Sequence, residues 1–380
     1  RLQGGPQFQW SNMKWVRGLV YGFLWYSSII AGFFLLYCPC FYLIFINRRL
    51  YRKLTEVIFV CWESYPVALY QILFGTKIIV KGKRMNPRDK ALVLMNHRTR
   101  LDWNFYWGAL LQACWPHTYC DKYVLKSAIR NIPCLGWIMQ LTCNLFVHRK
   151  WQEDKYLLDN VLQYFADIDH CCQIMIFPEG TDYTEKTKLR SDQYAETKGY
   201  PKFRHVLYPK VTGFASMMQT LKRGKQIDCL YDVTVGYPDA TPQSEVDVIM
   251  GDIPREVHFH IDRICASDIE WEENKLKELC LRRWQLKETL LEEFNVSKCF
   301  PGPTEIESPV DVKFLYMSLL FWILLTLAGM FTILFTSLGF WWTLFHVVLF
   351  TAISTTTDGV QHLEIYLHKR RKGKSLPKEE

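Results

Sequence analysis

The chain has 380 residues, of which 49% are apolar and 22% charged, with a formal net charge of +8. This apolar fraction excludes a disordered chain, and 13 cysteines over this length exclude a small disulfide scaffold. The sequence lacks a sustained heptad or a repeat of about 20–50 residues, which excludes coiled coils and solenoids. The positive charge suits a phospholipid surface, a phosphorylated ligand or a nucleic acid, and by itself does not distinguish these three kinds of partner.

The first long apolar segment, residues 18–46, contains no Asp, Glu, Lys or Arg. A bilayer core needs about 20 apolar residues in a helix, so this segment predicts a spanning helix within an N-terminal membrane region, 1–53. A secretory signal is the alternative, but its apolar part would be only about 7–15 residues long. The basic residues after the segment, beginning with Arg48 and Arg49, weakly place the following domain in the cytosol.

The next segment, 54–76, is also apolar, but it carries Glu56, Glu63 and Pro66. We predict an interfacial or half-inserted helix here. A core helix of the soluble domain is the alternative.

The middle of the chain, 77–265, alternates short β-rich runs with helical patterns. Helical spacing is clear over 151–168 and 213–224. The candidate strands are 77–82, 91–95, 144–149, 173–177, 231–237 and 256–261. This alternation predicts an α/β fold with a mostly parallel sheet flanked by helices, and with membrane helices N-terminal and C-terminal to it.

The last part of the chain begins with a charged helix and connector, 266–312, for which Ser267 and Glu270 suggest a capping box. A second uncharged block lies within 313–357 and is long enough for two spans. We expect a break near residues 336–339 and therefore a membrane hairpin; one tilted span with an interfacial helix is the alternative. Residues 358–380 are predicted to form a basic cytosolic tail.

An ionisable pair follows the strand 91–95, where α/β folds place their sites. His97 and Asp102 are five residues apart. In one regular helix, this spacing would point the two side chains about 140° away from each other. A turn entering a helix would bring the carboxylate back to the imidazole. Asp102 would then accept from one ring nitrogen and leave the other as a base. Neither a Ser nor a Cys elbow accompanies the pair, so the expected nucleophile is a substrate hydroxyl. A helix N-terminus with Asp as its dipole partner is the alternative.

Three more polar turns carry candidate binding residues. Glu179 follows the strand 173–177 and is not expected in the core, so it would bind a hydroxyl or orient a cation. Arg149 lies at the end of the strand 144–149 and offers a fork suited to phosphate. Lys210 adds a cation in the turn 208–213. Four turns that follow four strands would meet at one edge of the sheet.

Together these turns resemble the glycerolipid acyltransferase family. Its four blocks occur in order as NHRTRLDW (96–103), FVHRK (146–150), FPEGT (177–181) and YPKVTG (208–213). The likeness covers about 77–265 and is greatest to the branch that acylates lysocardiolipin or lysophosphatidylinositol. It implies acyl transfer from acyl-CoA to a lysophospholipid hydroxyl, with neither a metal nor another cofactor and without a covalent enzyme intermediate.

The resemblance also implies roles for individual residues. His97 would be the base and Asp102 its orienting partner. Arg149 would contact the acceptor phosphate, and the remaining substrate-binding residues would be Glu179, Gly180, Thr181, Pro209 and Lys210. The family commonly has Arg after FPEGT, whereas this chain has Asp182, so a phosphate contact there would pass to Lys186, Lys188 or Arg190.

Partners and location are also expectations at this point. We expect acyl-CoA, a lysophospholipid and the lipid bilayer as partners. The long apolar blocks argue against a nucleic-acid partner. The sequence does not specify an oligomeric state. A cysteine–histidine spacing typical of zinc sites is missing from the sequence. The resemblance suggests the endoplasmic reticulum membrane, with mitochondria-associated membrane as the alternative. Acylation of lysophosphatidic acid is the competing activity, and a non-catalytic lipid-binding protein is the competing class.

Overall fold

The computed structural model describes residues 14–239, 241–306, 310–357, 359–371 and 373. The first apolar block forms α1 (Lys14–Gly32), a π-helical turn (Phe33–Tyr37) and two short helices, α2 (Cys38–Phe41) and α3 (Leu43–Ile46). Together these elements are long and apolar enough to cross a membrane, in agreement with the expected span.

The second apolar segment forms one helix, α4 (Arg48–Phe74), which begins earlier than the sequence predicts. Asn47 caps it by accepting the N–H of Leu50 at 3.1 Å. The helix continues through Pro66 and is also long and apolar enough to span. Much of its surface is buried within the protein, so the expected interfacial placement stays a prediction.

The α/β domain follows as β1 (Lys77–Gly82), β2 (Ala91–Met95), α5 (Asp102–Cys114), β3 (Asp121–Lys126), α6 (Leu135–Leu141), β4 (Leu145–Val147), α7 (Trp151–Asp167), β5 (Gln173–Ile176), α8 (Glu185–Lys198), α9 (Val211–Arg223), β6 (Cys229–Gly236), α10 (Glu245–Ile249) and β7 (Glu256–Cys265). Every predicted strand is present, and β3 is additional.

The strands form one sheet in the order β1-β7-β6-β2-β5-β3-β4. All neighbouring pairs are parallel except β6 and β7, so five strands run one way and two the other. The central strands β2, β5 and β6 are buried along their whole length, as continuous apolar runs in a parallel sheet should be. The predicted α/β fold with a mostly parallel sheet is confirmed.

The C-terminal part forms α11 (Glu273–Ser297), α12 (Val312–Phe335), α13 (Ser337–Thr356) and α14 (Val360–Arg371). The capping box expected at Ser267 is wrong, because Ala266–Asp268 is a 3₁₀ turn and the helix begins later. The break between the last two apolar helices is confirmed. There the Thr336 side chain accepts the N–H of Gly339 at 3.0 Å and caps α13.

The segment after the hairpin packs back onto the domain. Glu364 of α14 pairs with Arg52 of α4 and accepts the hydroxyl of Tyr164 of α7 at 2.6 Å. α11 packs on β6 and α9, and α14 packs on α6 and α7, so the chain leaves the α/β domain at the hairpin α12–α13 and returns to it afterwards. The apolar faces of α12 and α13 are largely exposed, as lipid-facing helices would be.

Candidate active site

The predicted ionisable pair forms at the carboxyl end of β2. His97 Nδ1 lies 2.9 Å from Asp102 Oδ2, because the loop after the strand turns directly into α5 and places Asp102 in its first turn. Asp102 is fully buried, and its Oδ2 also accepts the N–H of Thr99 at 2.9 Å. A carboxylate here is favoured by the positive end of the helix dipole.

The His97 ring is oriented from both sides. It stacks on Phe177, with the ring centroids 4.1 Å apart, and its side chain is 16% exposed. With Nδ1 bonded to the carboxylate, Nε2 is the nitrogen left to accept a proton from a bound hydroxyl.

Glu179 is buried, contrary to the sequence expectation that it would avoid the core. Its Oε1 accepts the backbone N–H of His97 and its Oε2 that of Leu207, each at 3.3 Å. Burial raises the pKa of this carboxyl to about 8, although the two N–H donors act in the opposite direction. The side chain therefore ties the His97 loop to the loop before α9. Its role in binding the acceptor stays a prediction.

Two cations, Arg149 and Lys210, lie near the turn that carries Glu179 and Gly180. Arg149 is exposed and has a left-handed backbone, with φ +67°. The Lys210 ammonium lies 2.9 Å from the position that a Cβ on Gly180 would take. Partial burial and the nearby charge of Arg149 lower the pKa of Lys210. Neither cation has an ion pair among the described residues, so the two together favour an anion at this point.

The fourth predicted turn reaches the site by another route than expected. Pro209 and Lys210 do not follow a strand; they end the loop after α8 and lead into α9. The N–H of Lys210 donates to the carbonyl of Pro178 at 2.7 Å, which holds this loop against the end of β5. Pro209 itself is buried.

The turn after β5 is shaped by Gly180, Thr181 and Asp182. Gly180 has φ +72°, a conformation that favours glycine. Thr181 Oγ1 donates to Asp182 Oδ1 at 3.3 Å, and Asp182 Oδ2 lies 3.8 Å from Arg100 Nε. Asp182 is thus close to a cation of the His97 loop. Of the suggested substitutes for the missing arginine, Lys188 is already paired with Asp192.

Sequence reasoning missed the roles of two polar residues that hold the loop of His97 and Asp102 in place. The Asn96 side chain bonds both backbone groups of Val235, with 2.8 Å to the N–H and 3.1 Å to the carbonyl oxygen. Tyr237 donates its hydroxyl to Asp102 Oδ1 at 2.6 Å. The sequence placed Tyr237 at the end of the candidate strand 231–237 but gave no sign that its hydroxyl would reach Asp102.

One cluster in the described part of the chain has ligand atoms close enough together for a metal. The atoms belong to Glu56, Cys120 and His170 and lie within 4.8 Å of one another. The buried ammonium of Lys122 is 3.4 Å from Glu56 Oε1 and already balances that carboxylate. The chemistry of the set therefore fits an internal ion pair better than a divalent cation.

The site adjoins the apolar helix α1. Trp103, next to Asp102, contacts Trp25 of α1 with ring centroids 6.2 Å apart. Asn104 of α5 donates its side-chain N–H to the Tyr21 hydroxyl of α1 at 3.0 Å. The His97–Asp102 pair thus lies beside an apolar helix.

Residues 77–237 match the acyltransferase family model, and residues 247–322 match the model described as acyltransferase C-terminus. Lysocardiolipin acyltransferase 1 of Gallus gallus is 35% identical over 95% of this chain and 95% of that protein. Lysophosphatidylinositol acyltransferase 10 of Caenorhabditis elegans is 36% identical over 65% of this chain and 64% of that protein. Probable 1-acyl-sn-glycerol-3-phosphate acyltransferase 5 of Arabidopsis thaliana is 35% identical over 67% of this chain and 66% of that protein. The family resemblance of the four motifs is confirmed: the chain belongs to the acyltransferase family.

Proposed function

We propose that the chain is a membrane enzyme that moves a fatty acyl group from acyl-CoA to a free hydroxyl of a lysophospholipid. Lysocardiolipin, lysophosphatidylinositol or both are the proposed acceptors, and phospholipid remodelling is the proposed role. The observation that carries this proposal is the His97–Asp102 pair, held at 2.9 Å beside two cations and next to α1. The names of relatives that cover this chain along most of its length support the choice of acceptor.

The proposed reaction uses His97 as a general base. His97 Nε2 takes the proton of the acceptor hydroxyl while that oxygen attacks the thioester carbonyl. The tetrahedral intermediate collapses, the carbon–sulfur bond breaks, and the proton passes from His97 to the sulfur of CoA. General-base assistance of this kind contributes about 10²–10⁴-fold. Asp102 holds the imidazole in the required tautomer and stabilises its charged form.

The two cations are proposed to hold the phosphate of the acceptor. Arg149 and Lys210 lie close enough for the charge of one to act on the other, and an anion between them relieves that repulsion. Gly180 leaves the space that the Lys210 ammonium occupies. Because a thioester is already an activated acyl donor, we propose that neither a metal nor another cofactor takes part.

The proposed location is the endoplasmic reticulum membrane, with several spans and a cytosolic catalytic domain. Four helical segments are apolar and long enough to cross a bilayer in the described residues. Mitochondria-associated membrane is the alternative for an enzyme that remodels cardiolipin.

The test is acyl transfer by the purified chain in lipid nanodiscs, with labelled acyl-CoA and separate lysocardiolipin, lysophosphatidylinositol and lysophosphatidic acid. We expect transfer to one or both of the first two acceptors and its loss in His97→Ala. His117→Ala is the matched control, because His117 is exposed beyond the far end of α5. Acyl transfer that persists in His97→Ala would contradict the proposed base.

Two other functions predict different results in the same assay. A lysophosphatidic acid acyltransferase is favoured by the name of the Arabidopsis thaliana relative, and it would prefer the third acceptor. A non-catalytic lipid-binding protein would bind lysophospholipid without acyl transfer, and binding would survive His97→Ala.

A further inference from the structure

The carboxylate that orients His97 is itself held by a third side chain. Asp102 is fully buried, so each of its oxygens needs a hydrogen-bond donor. Oδ2 accepts from His97 Nδ1 and from the N–H of Thr99. Oδ1 accepts from the Tyr237 hydroxyl at 2.6 Å, a short bond of the kind that an ionised acceptor makes.

Tyr237 is fixed in place by the sheet and by α5. It follows β6 directly, and Asn96 bonds both backbone groups of Val235, two residues earlier. Its ring packs edge-on against Phe105 of α5, with centroids 6.1 Å apart. The hydroxyl therefore approaches Asp102 from a neighbouring strand, independently of the loop that carries His97.

The hydroxyl of Tyr237 remains a donor at every physiological pH. Burial, followed by the charge of Asp102, raises its pKa well above the usual range. Without this donor, Oδ1 would be buried and unpaired, and the charged carboxylate would lose one of the three hydrogen bonds that hold it. A rotated Asp102 no longer holds the Nδ1–H tautomer of His97.

We propose that Tyr237 is a positioning residue for acyl transfer, which acts on His97 through Asp102 and does not touch the substrate. This inference rests on the proposed function. It assigns to the tyrosine that follows β6 the task of keeping the Asp102 carboxylate directed at His97 Nδ1.

The test is Tyr237→Phe, which removes the hydroxyl and keeps the ring. We expect kcat to fall roughly ten- to hundredfold, the range for losing a hydrogen bond to a charged group. KM for both substrates should stay within about twofold, because the residue is buried away from them. The acidic limb of the kcat/KM profile should move to higher pH, because the variant lacks a hydrogen bond to the charged form of the His97–Asp102 pair.

Tyr106→Phe is the matched control. Tyr106 is also buried, one turn beyond Asp102 on α5, and its hydroxyl donates to the sulfur of Met85 at 3.9 Å. This variant should keep the kcat and the pH profile of the wild type. A merely structural effect of losing a buried hydroxyl would instead affect both variants.

A second substitution covers the case in which Tyr237→Phe does not fold. A chain with 3-fluorotyrosine at position 237 keeps the ring and the hydroxyl but makes the hydroxyl a stronger donor. Its acidic limb should move to lower pH, opposite to the shift in Tyr237→Phe. If Tyr237→Phe folds and keeps the wild-type kcat and pH profile, the inference about Tyr237 is wrong while the proposed function stands. If Tyr237→Phe does not fold, a wild-type kcat and pH profile in the fluorotyrosine chain has the same meaning. A wild type without acyl transfer would overturn the proposed function as well.

Discussion

Glu179 gives the sharpest test of the geometry around His97. Its carboxyl is 4% exposed and its pKa is raised by burial from 4.5 to about 8. The charged groups near it include Asp102 and the buried ammonium of Lys287. The charge of Asp102 raises the pKa of Glu179, and the charge of Glu179 acts to raise the pKa of Lys287. At neutral pH the folded protein therefore holds a proton on Glu179 that the unfolded chain has lost.

The sign of the pH effect follows from this difference. A carboxyl with a raised pKa favours the folded state below pH 4.5, and that contribution is lost as the pH rises to about 8. Each pH unit in this interval changes the free energy of unfolding by about 1.4 kcal/mol. Between pH 5.5 and 7.5 the wild type should therefore lose about 2–3 kcal/mol through this one group.

The perturbation is Glu179→Gln, which is neutral at every pH and similar in shape. The difference in thermal stability between wild type and variant, measured in detergent from pH 5.5 to 7.5, isolates this group from the other titrating side chains. We expect the difference to change by about 2–3 kcal/mol in favour of the variant as the pH rises. A difference that is constant with pH would refute the raised pKa.

The same variants separate two roles for Glu179. If the side chain holds the N–H groups of His97 and Leu207, Glu179→Ala should lower kcat more than Glu179→Gln, because it leaves both donors unpaired. If it binds the acceptor hydroxyl, as the sequence predicts, both variants should chiefly raise KM for the lysophospholipid.

The remaining predictions concern the base and the anion site. His97→Ala should lower kcat by about 10²–10⁴-fold, and Asp102→Asn should lower it nearly as much. Both losses are measured by single-turnover acyl transfer. An unchanged rate in either variant removes that residue from the mechanism. Arg149→Ala should raise KM for the lysophospholipid roughly tenfold with little change in kcat, because a phosphate contact serves binding. Gly180→Ala should reduce activity, since its Cβ would meet the Lys210 ammonium. Gly199→Ala, with a similar φ of +67° but open space around it, should keep activity.

The sequence predicted the architecture well wherever the signal is local. The apolar runs of β2, β5 and β6 are continuous because these strands are buried on both faces. The break at Thr336 was visible because a threonine cap ends one apolar helix and begins the next. The spacing of His97 and Asp102 was interpretable because a turn into a helix N-terminus brings the two together.

The site could be predicted only in part, because several of its contacts join residues that are distant in the sequence. The Glu179 carboxyl is compatible with burial only because two backbone N–H groups from separate loops bond to it. Tyr237 lies 135 residues from Asp102, and its hydroxyl carries no local signal. Lys210 reaches the edge of the sheet through a hydrogen bond to Pro178, whereas the sequence suggested that a strand would bring it there.

The missed strand β3 shows how the apolar helix α4 and the α/β domain depend on each other. Its sequence begins with Asp121 and Lys122, which are typical of a loop, yet both side chains are buried. Lys122 can be buried because Glu56 of α4 lies 3.4 Å from its ammonium, and the Asp121 carboxylate bonds the hydroxyl of Tyr123. The strand therefore needs α4 in place to balance its charge. An α/β domain cut free of α4 would leave a buried ammonium unpaired, so this apolar helix is part of the folding unit of the α/β domain.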